Sequence, residues 1–297
     1  EGFLLDVTPS NAYGAFWPGQ ADTSLVRLGG AKNLTADADF NNIYPWSEIK
    51  PTTQNGQDVV KIPKFYYKRI YDEGSGGHGF WIAQTKIDNT FNLHPAFDRP
   101  NVEKPYVLVG ANKFGSNSTR AQCRTTAKGY GPNWGLIDLP TWSAIQMLWL
   151  VEYADTNSEK YNTNWRDLKG LWTSPRQFID GVNIKDRRVY LSENNVGFKD
   201  DVFSGDYKDT GLTLPGSGFI INWHYSEEYD WAFIPKSVSG GSSSTYIPDY
   251  IYSDSGNRVL SCGYYNTAGY AGLFCWDAYY SSSDTNSYIA ARALYIP

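Results

Sequence analysis

The amino-acid sequence predicts an α+β fold that is rich in loops, with short β-strands and one or two helices. Aromatic residues make up 16% of the chain, and 28 of the 297 residues are glycine. The apolar runs are short and are separated by glycine and asparagine breakers, and only one segment has a strong helical period. Bulky rings in such a chain hold loops in place, and they also serve binding.

The first part of the chain, residues 1–57, is predicted to be a small N-terminal β segment packed on the main domain of residues 58–297. Segments 15–17 and 25–28 have the pattern of short strands. Gly29, Gly30, Asn41 and Asn42 interrupt that pattern.

A β-hairpin is predicted between residues 59 and 83. Residues 59–70 form the clearest early strand pattern, interrupted by Pro63, and residues 80–83 form a second strand. The glycine-rich stretch 74–79 lies between them and suits a turn.

One amphipathic helix is predicted after Leu139 and Pro140, with Thr141 as its N-cap. Large apolar residues then recur every three or four positions up to Tyr153, so one face of the helix is apolar. A second, weaker helix is predicted around residues 85–97. From residue 165 onward the pattern is one of short strands and loops.

Charge and composition exclude several classes of partner. The net charge is −5 and the basic residues are scattered, so we expect no nucleic-acid partner. No apolar run approaches the length of a membrane span, so we expect that no segment spans a membrane. The three cysteines are too few and odd in number for a disulfide framework.

The last forty residues, 258–297, differ in composition from the rest. Lys, Glu, Gln and Met together fill 32 of the first 257 positions but none of these forty. Tyr, Ser, Gly, Asn, Asp, Thr, Ala and Cys predominate instead. This is the composition of antibody-like binding surfaces, in which tyrosine gives rigid contact area and the small polar residues give adaptable hydrogen bonds.

One genetic process produces such a set of residues. Randomising only the adenines of an Asn codon yields these types and cannot yield Lys, Glu, Gln, Met or Trp, so Trp276 would be a fixed scaffold position. The predicted ligand-binding residues are Ser261, Cys262, Tyr264, Tyr265, Thr267, Tyr270, Cys275, Asp277, Tyr279, Tyr280, Asp284, Ser287 and Tyr288.

Some of this region must instead belong to the core. The residues predicted to be core are Leu273, Phe274, Trp276, Ile289 and Leu294. In the consecutive tyrosine pairs 264–265 and 279–280, one ring of each pair would face out of a strand.

Several segments, in order along the chain, resemble the variable proteins of diversity-generating retroelements. The resemblance lies in residues 258–263 (R-V-L-x-x-G), 271–274 (A-G-L-F), 291–295 (A-R-A-L-Y), 79–89, 139–154, 218–220 and 229–235. It implies a C-type-lectin fold of the formylglycine-generating-enzyme subtype over about residues 58–297, with the variable ligand-binding region at about 258–297. Gly263, Ala271, Gly272, Phe274 and Arg292 match fixed positions of the family, and Arg258 and Arg292 would have structural roles.

The resemblance also implies a function. The ligand would be a cell-surface protein or glycan receptor, and the protein would be a phage tail adhesin located on the virion tail or at a cell surface. A trimer would suit a tail fibre. The alternatives are a structural tail component that mediates assembly, and a bacterial surface lectin.

Enzyme functions are less favoured. The same fold hosts a copper-dependent oxidase with two closely spaced cysteines, whereas Cys262 and Cys275 are thirteen positions apart. Glu227, Glu228 and Asp230 have the pattern of a solvated turn rather than of a glycosidase pair. We therefore expect no catalytic residues, no cofactor and no metal site, although the turn 254–257 leaves calcium open.

Overall fold

The computed structural model describes residues 11–20, 22–100, 102–192, 197–263 and 270–297. Over these residues the protein is built mostly from β-sheet with two α-helices and many loops. The predicted α+β class and loop-rich character are therefore confirmed.

The helices are α1 (Arg120–Lys128) and α2 (Leu139–Tyr153). The strands of the described residues, in chain order, are β1 Ala12–Trp17, β2 Val26–Gly29, β3 Lys50–Gln54, β4 Gln57–Pro63, β5 Tyr66–Asp72, β6 Gly77–Ala83, β7 Asn92–Leu93, β8 Tyr106–Phe114, β9 Trp134–Leu136, β10 Arg176–Lys185, β11 Arg188–Ser192, β12 Tyr207–Thr213, β13 Gly218–Phe219, β14 Asn222–Trp223, β15 Pro235–Ser237, β16 Tyr250–Ser253, β17 Asn257–Cys262, β18 Trp276–Ala278 and β19 Ile289–Tyr295.

The strands form two main sheets. The smaller sheet has the order β2-β1-β6-β5-β7. The larger sheet has the order β13-β16-β18-β17-β10-β19-β8-β4-β3, with β11 and β12 continuing from β10 and β9 pairing β19. Among the described strands, β14 and β15 pair with each other alone. The strands of the last forty residues thus lie within the large sheet, with neighbours on both sides.

The described part of the predicted N-terminal segment is built into both sheets. Strand β1 lies between β2 and β6 in the smaller sheet, and β3 pairs β4 in the larger one. Trp17, Phe40 and Trp46 are fully buried and share one apolar core with Trp142 of α2. The segment therefore contributes strands and core side chains directly to the rest of the chain.

The predicted hairpin is confirmed, but its first strand is shorter than expected. Strands β5 and β6 pair antiparallel around the glycine turn. Residues 59–63 belong instead to β4, which pairs β8 in the other sheet. Proline cannot donate to a strand ladder, and Pro63 is the last residue of β4, so the chain leaves one sheet there and enters the other.

Helix α2 lies where the sequence predicts a helix, but its start and its environment differ. Asp138 is the N-cap, because its side chain accepts a hydrogen bond from Thr141 N at 3.0 Å. Thirteen of the fifteen helix residues are buried. The helix packs against β1 and β6 of one sheet and β10 of the other, so it has no solvent face.

The second predicted helix is wrong, and a different one was missed. Residues 85–97 hold only the short strand β7 and a single 3-10 turn, Pro95–Phe97. Helix α1 begins instead at a capping box, in which Thr119 and Gln122 exchange side-chain and backbone hydrogen bonds. The spacing of Thr119 and Gln122 in the sequence is the signal that could have predicted it.

Candidate ligand-binding surface

Three adjacent strands form the base of the candidate site. Strand β18 lies between β16, which runs parallel to it, and β17, which runs antiparallel. Tyr252, Asp277 and Ser261 are directly opposite one another in these three strands, so their side chains share one face. Ile251 and Trp276 are paired on the other face and belong to the main core.

The chain just before β18 is fixed by side chains from distant parts of the sequence. Ser158 Oγ accepts a hydrogen bond from Leu273 N at 2.8 Å, and Gln146 Nε2 donates to Leu273 O at 2.9 Å. Asp249 Oδ2 accepts from Phe274 N at 2.6 Å. Because all three anchoring groups are buried, this backbone is held independently of the residues that follow it.

Core residues predicted in this region are confirmed. Leu273, Phe274, Trp276, Ile289 and Leu294 are all at most 2% exposed. The ring of Phe274 packs against three other aromatic rings of the core, namely Trp149, Trp223 and Phe233.

The residues that match the fixed positions of the resembled family are also buried. Gly263, Ala271, Gly272, Phe274 and Arg292 are all inaccessible to solvent or nearly so. Gly272 has φ +130°, and a Cβ at that position would lie 2.1 Å from Asp249 Oδ2. No larger residue fits there without displacing the carboxyl group.

Arg258 and Arg292 have the structural roles that were expected. The Arg292 guanidinium is fully buried and donates to the carbonyl oxygens of Gly110, Ala111 and Lys169. Arg258 forms an ion pair at 2.8 Å with Asp254, which lies four residues before it in the sequence.

Two neighbouring groups of partly exposed rings, which together we call the tyrosine surface, cover the outer face of these strands. It consists of Phe219, Tyr250, Tyr252, Tyr270, Tyr279 and Tyr280. Tyr250 contacts Phe219, Tyr252 and Tyr270, with ring centroids 5.0, 4.6 and 4.8 Å apart. Tyr279 and Tyr280 contact each other at 5.4 Å. The rings therefore support one another laterally.

Arg176 joins the two halves of the tyrosine surface. Its guanidinium lies 5.2 Å from the Tyr252 ring centroid and 5.9 Å from that of Tyr280. Beneath these rings Arg176 forms an ion pair with Asp277. Cation–π contacts of this kind hold aromatic side chains in a fixed orientation.

Asp277 belongs to the floor under the rings. Its Oδ1 atom accepts a hydrogen bond from Tyr279 N at 3.0 Å, and its side chain is 1% exposed. Burial outweighs the charge of Arg176 and raises the pKa of Asp277 to about 6. Among the described residues, the buried Ser261 hydroxyl beside it has no hydrogen-bond partner.

Six predicted ligand-binding residues are accessible. Tyr279 and Tyr288 are 56% and 39% exposed, and they are two of the four exposed large hydrophobic residues in the described chain. Asp284 and Ser287 are exposed, whereas Tyr270 and Tyr280 are half-buried. Asp284 also closes a local turn, since its Oδ2 atom accepts from Ser281 N at 2.6 Å.

Four other predicted contacts are corrected by the structure. Ser261, Cys262, Cys275 and Asp277 are at most 1% exposed, so they do not present atoms to a ligand on the surface. The reason is that β17 and β18 are interior strands, covered on one face by the core and on the other by the rings. Tyr264, Tyr265 and Thr267 lie outside the described residues.

The two cysteines of this region are buried thiols. Burial raises the pKa of both Cys262 and Cys275 well above the usual value for a thiol. Neither is therefore in the thiolate form at neutral pH, and thiolate is the reactive form of cysteine.

Sequence reasoning missed half of the tyrosine surface. Phe219, Tyr250 and Tyr252 precede the compositionally biased region, and only the pairing of β13, β16 and β18 brings them to it. A signal was present, because Tyr250 and Tyr252 flank the buried Ile251 and so must share the opposite face of a strand.

Comparison with known proteins does not assign the chain to a family. No protein-family model matches the chain, and no curated protein matches it significantly. Within the described ranges, no three His, Cys, Asp or Glu side chains are grouped as ligands for a metal ion. None of the helices described is long and apolar enough to cross a membrane.

Proposed function

We propose that this protein is a non-enzymatic binding protein, and that its tyrosine surface recognises a protein or glycan receptor on a cell surface. The observation that carries the proposal is the lateral network of partly exposed rings above a buried, hydrogen-bonded floor. Tyrosine and arginine are the residues that supply most binding energy in protein interfaces. Tyrosine also has few rotors to immobilise on binding.

The anchoring of the backbone supports a diversified surface. Ser158, Gln146 and Asp249 hold the chain before β18, and all three lie outside residues 258–297. Substitutions at exposed positions such as Tyr279 therefore leave these anchors in place. We propose that about residues 258–297 contain the variable positions, as in the variable proteins of diversity-generating retroelements, and that the domain has their C-type-lectin fold.

The context we propose is a phage tail adhesin on the virion, with a bacterial surface lectin as the alternative. Both bind a receptor outside the cell, so both use the same surface. A trimer, as in tail fibres, would present several copies of the surface at once and raise avidity.

Diversification can be tested by sequencing the gene from a natural population. We expect substitutions confined to the first two positions of codons, which are the adenines of an Asn codon, at accessible residues such as Tyr279, Asp284 and Tyr288, while Gly272 and Trp276 stay invariant. Substitutions spread evenly over the gene, or over all three positions of these codons, would contradict diversification.

Binding can be tested with the labelled protein on a glycan array and on intact bacterial cells. The variant Tyr279→Ala should lose binding and keep the unfolding midpoint of the wild type, because Tyr279 is the most exposed ring of the tyrosine surface. Val26→Ala is the matched control, because Val26 is 60% exposed on β2, in the other sheet. If the tyrosine variant and the Val26→Ala control lose binding equally, or if neither loses it, recognition through the tyrosine surface is contradicted.

Subunit assembly is the alternative use of the same surface, because an exposed ring such as Tyr279 also suits an interface between copies. Light scattering of the wild type and of the Tyr279→Ala variant separates the two functions. If the variant dissociates an oligomer, the surface mediates assembly. If the oligomeric state is unchanged and receptor binding is lost, it mediates recognition.

A further inference from the structure

We propose a second ligand site, unrelated to the tyrosine surface, in a cleft beside helix α1. The cleft has a volume of about 750 Å³, and no residue between 258 and 288 lines it. It lies between α1, strand β9, the loop around residue 100 and residues 294–297. A volume of this size is typical of sites for small molecules. The proposed ligand is a small organic anion with an aromatic body.

Two arginines in the cleft are already neutralised. Arg99 forms a two-pronged ion pair with Asp138, with Nη2 to Oδ1 at 3.0 Å. Arg124 forms another with Asp180, at 2.6 and 2.7 Å, and also bonds Asp200. Both aspartates of the lining are therefore matched by arginine, and these pairs contribute no net charge.

Two lysines in the lining are not matched in this way. Lys104 and Lys128 have no ion pair with a carboxylate within the described ranges. Glu103, the acidic neighbour of Lys104, is paired with Lys64 instead. The described side chains that line the cleft therefore carry a net positive charge, in a protein whose net charge is −5. An anion is the ligand that such a charge favours.

The rest of the lining is largely apolar and aromatic. Trp134 and Phe198 contribute rings, and Leu136 and Ile296 contribute aliphatic surface. Trp134 is held by edge contacts to Tyr130 and a tilted contact to Tyr295, both with centroids 5.5 Å apart. Its buried Nε1 atom has no acceptor in the part of the chain that the structure describes. An acidic group for the lysines and a flat apolar body for the rings together define the ligand class.

Naphthoate is a suitable probe, because it has a carboxylate and an aromatic body, and naphthamide is its uncharged match. Binding to the purified full chain would be measured by calorimetry and by saturation-transfer NMR. We expect naphthoate to bind about tenfold more tightly than naphthamide, as two lysine contacts would give. Binding that is equal for the two compounds, or no binding of naphthoate at millimolar concentration, would overturn the proposal.

Three variants locate the site. Combining Lys104→Glu with Lys128→Glu should weaken naphthoate binding about tenfold or more, whereas Lys32→Glu, an exposed lysine elsewhere, should not change it. Gly135→Phe should block both compounds, because a Cβ at Gly135 meets no atom within 4 Å and the ring would occupy the open space. If the lysine pair variant binds as the wild type does while its unfolding midpoint is unchanged, the site is not in this cleft.

Discussion

Gly272→Ala is the substitution that best tests how the backbone before β18 is fixed. Gly272 precedes the anchored residues Leu273 and Phe274, and its φ of +130° is outside the range that alanine adopts easily. The added Cβ would lie 2.1 to 2.2 Å from the carboxyl group of Asp249. The backbone cannot simply shift away, because the two residues that follow Gly272 are hydrogen-bonded to buried side chains.

The expected cost has two parts. Backbone strain at a positive φ contributes about 1–3 kcal/mol. Displacing Asp249 breaks its hydrogen bond to Phe274 N and leaves a buried group unpaired, which costs a further 1–3 kcal/mol or so. Gly272→Ala should therefore lower the free energy of unfolding by about 2–6 kcal/mol.

Urea unfolding followed by tryptophan fluorescence measures this free energy, and two further variants separate its parts. Gly56 also has a positive φ, +73°, and no atom lies within 4 Å of the added Cβ, so Gly56→Ala reports strain at a positive φ without a clash. In an Asp249→Ala background the clash is absent, so Gly272→Ala should cost less there than in the wild type. If Gly272→Ala costs no more than Gly56→Ala, or the same in both backgrounds, the proposed clash is refuted.

Three further predictions concern neighbouring side chains. Phe274→Ala should lower the free energy of unfolding by about 3–5 kcal/mol, whereas Tyr279→Ala should change it by under about 0.5 kcal/mol. Equal effects of the two substitutions in urea unfolding would contradict the assignment of Phe274 to the core and Tyr279 to the surface. The pKa of Asp277 is raised by folding to about 6 from an ordinary value of 3.8, so its contribution to stability is greatest at acid pH and is lost as the pH rises through about 6. Relative to Asp277→Asn, the wild type should therefore lose stability between about pH 4 and pH 7, and parallel pH profiles of the two proteins would refute this. Arg292→Met should lower the free energy of unfolding by about 3–5 kcal/mol, because it leaves buried carbonyl oxygens without a donor. A loss under about 1 kcal/mol in thermal unfolding would show that water replaces the guanidinium.

Local features of the fold follow from the sequence because they depend on residues close together in the chain. The hairpin of β5 and β6 is encoded by two apolar runs and the glycines between them. The position of α2 is encoded by its apolar residues, although not its burial on all sides. The core positions Phe274 and Trp276 could also be predicted, because large apolar side chains are usually buried.

The composition of the last forty residues identified a region suited to binding, and by itself could not say which of its residues reach the surface. The structure places Tyr279 and Tyr288 outside and Ser261 and Cys262 inside, because β17 has strands on both sides and cover on both faces. Alternation along a strand gives two faces, but the packing of other elements decides whether either face is open.

Only the tertiary structure assembles the tyrosine surface and the cleft beside α1. Tyr252 meets Asp277 because β16 and β18 pair in parallel, and Arg176 reaches both from β10, which lies far earlier in the chain. The charge of the cleft likewise depends on which arginines and aspartates find each other across the fold. Pairing between distant segments is selected by the burial of the whole core, which no local pattern in the sequence records.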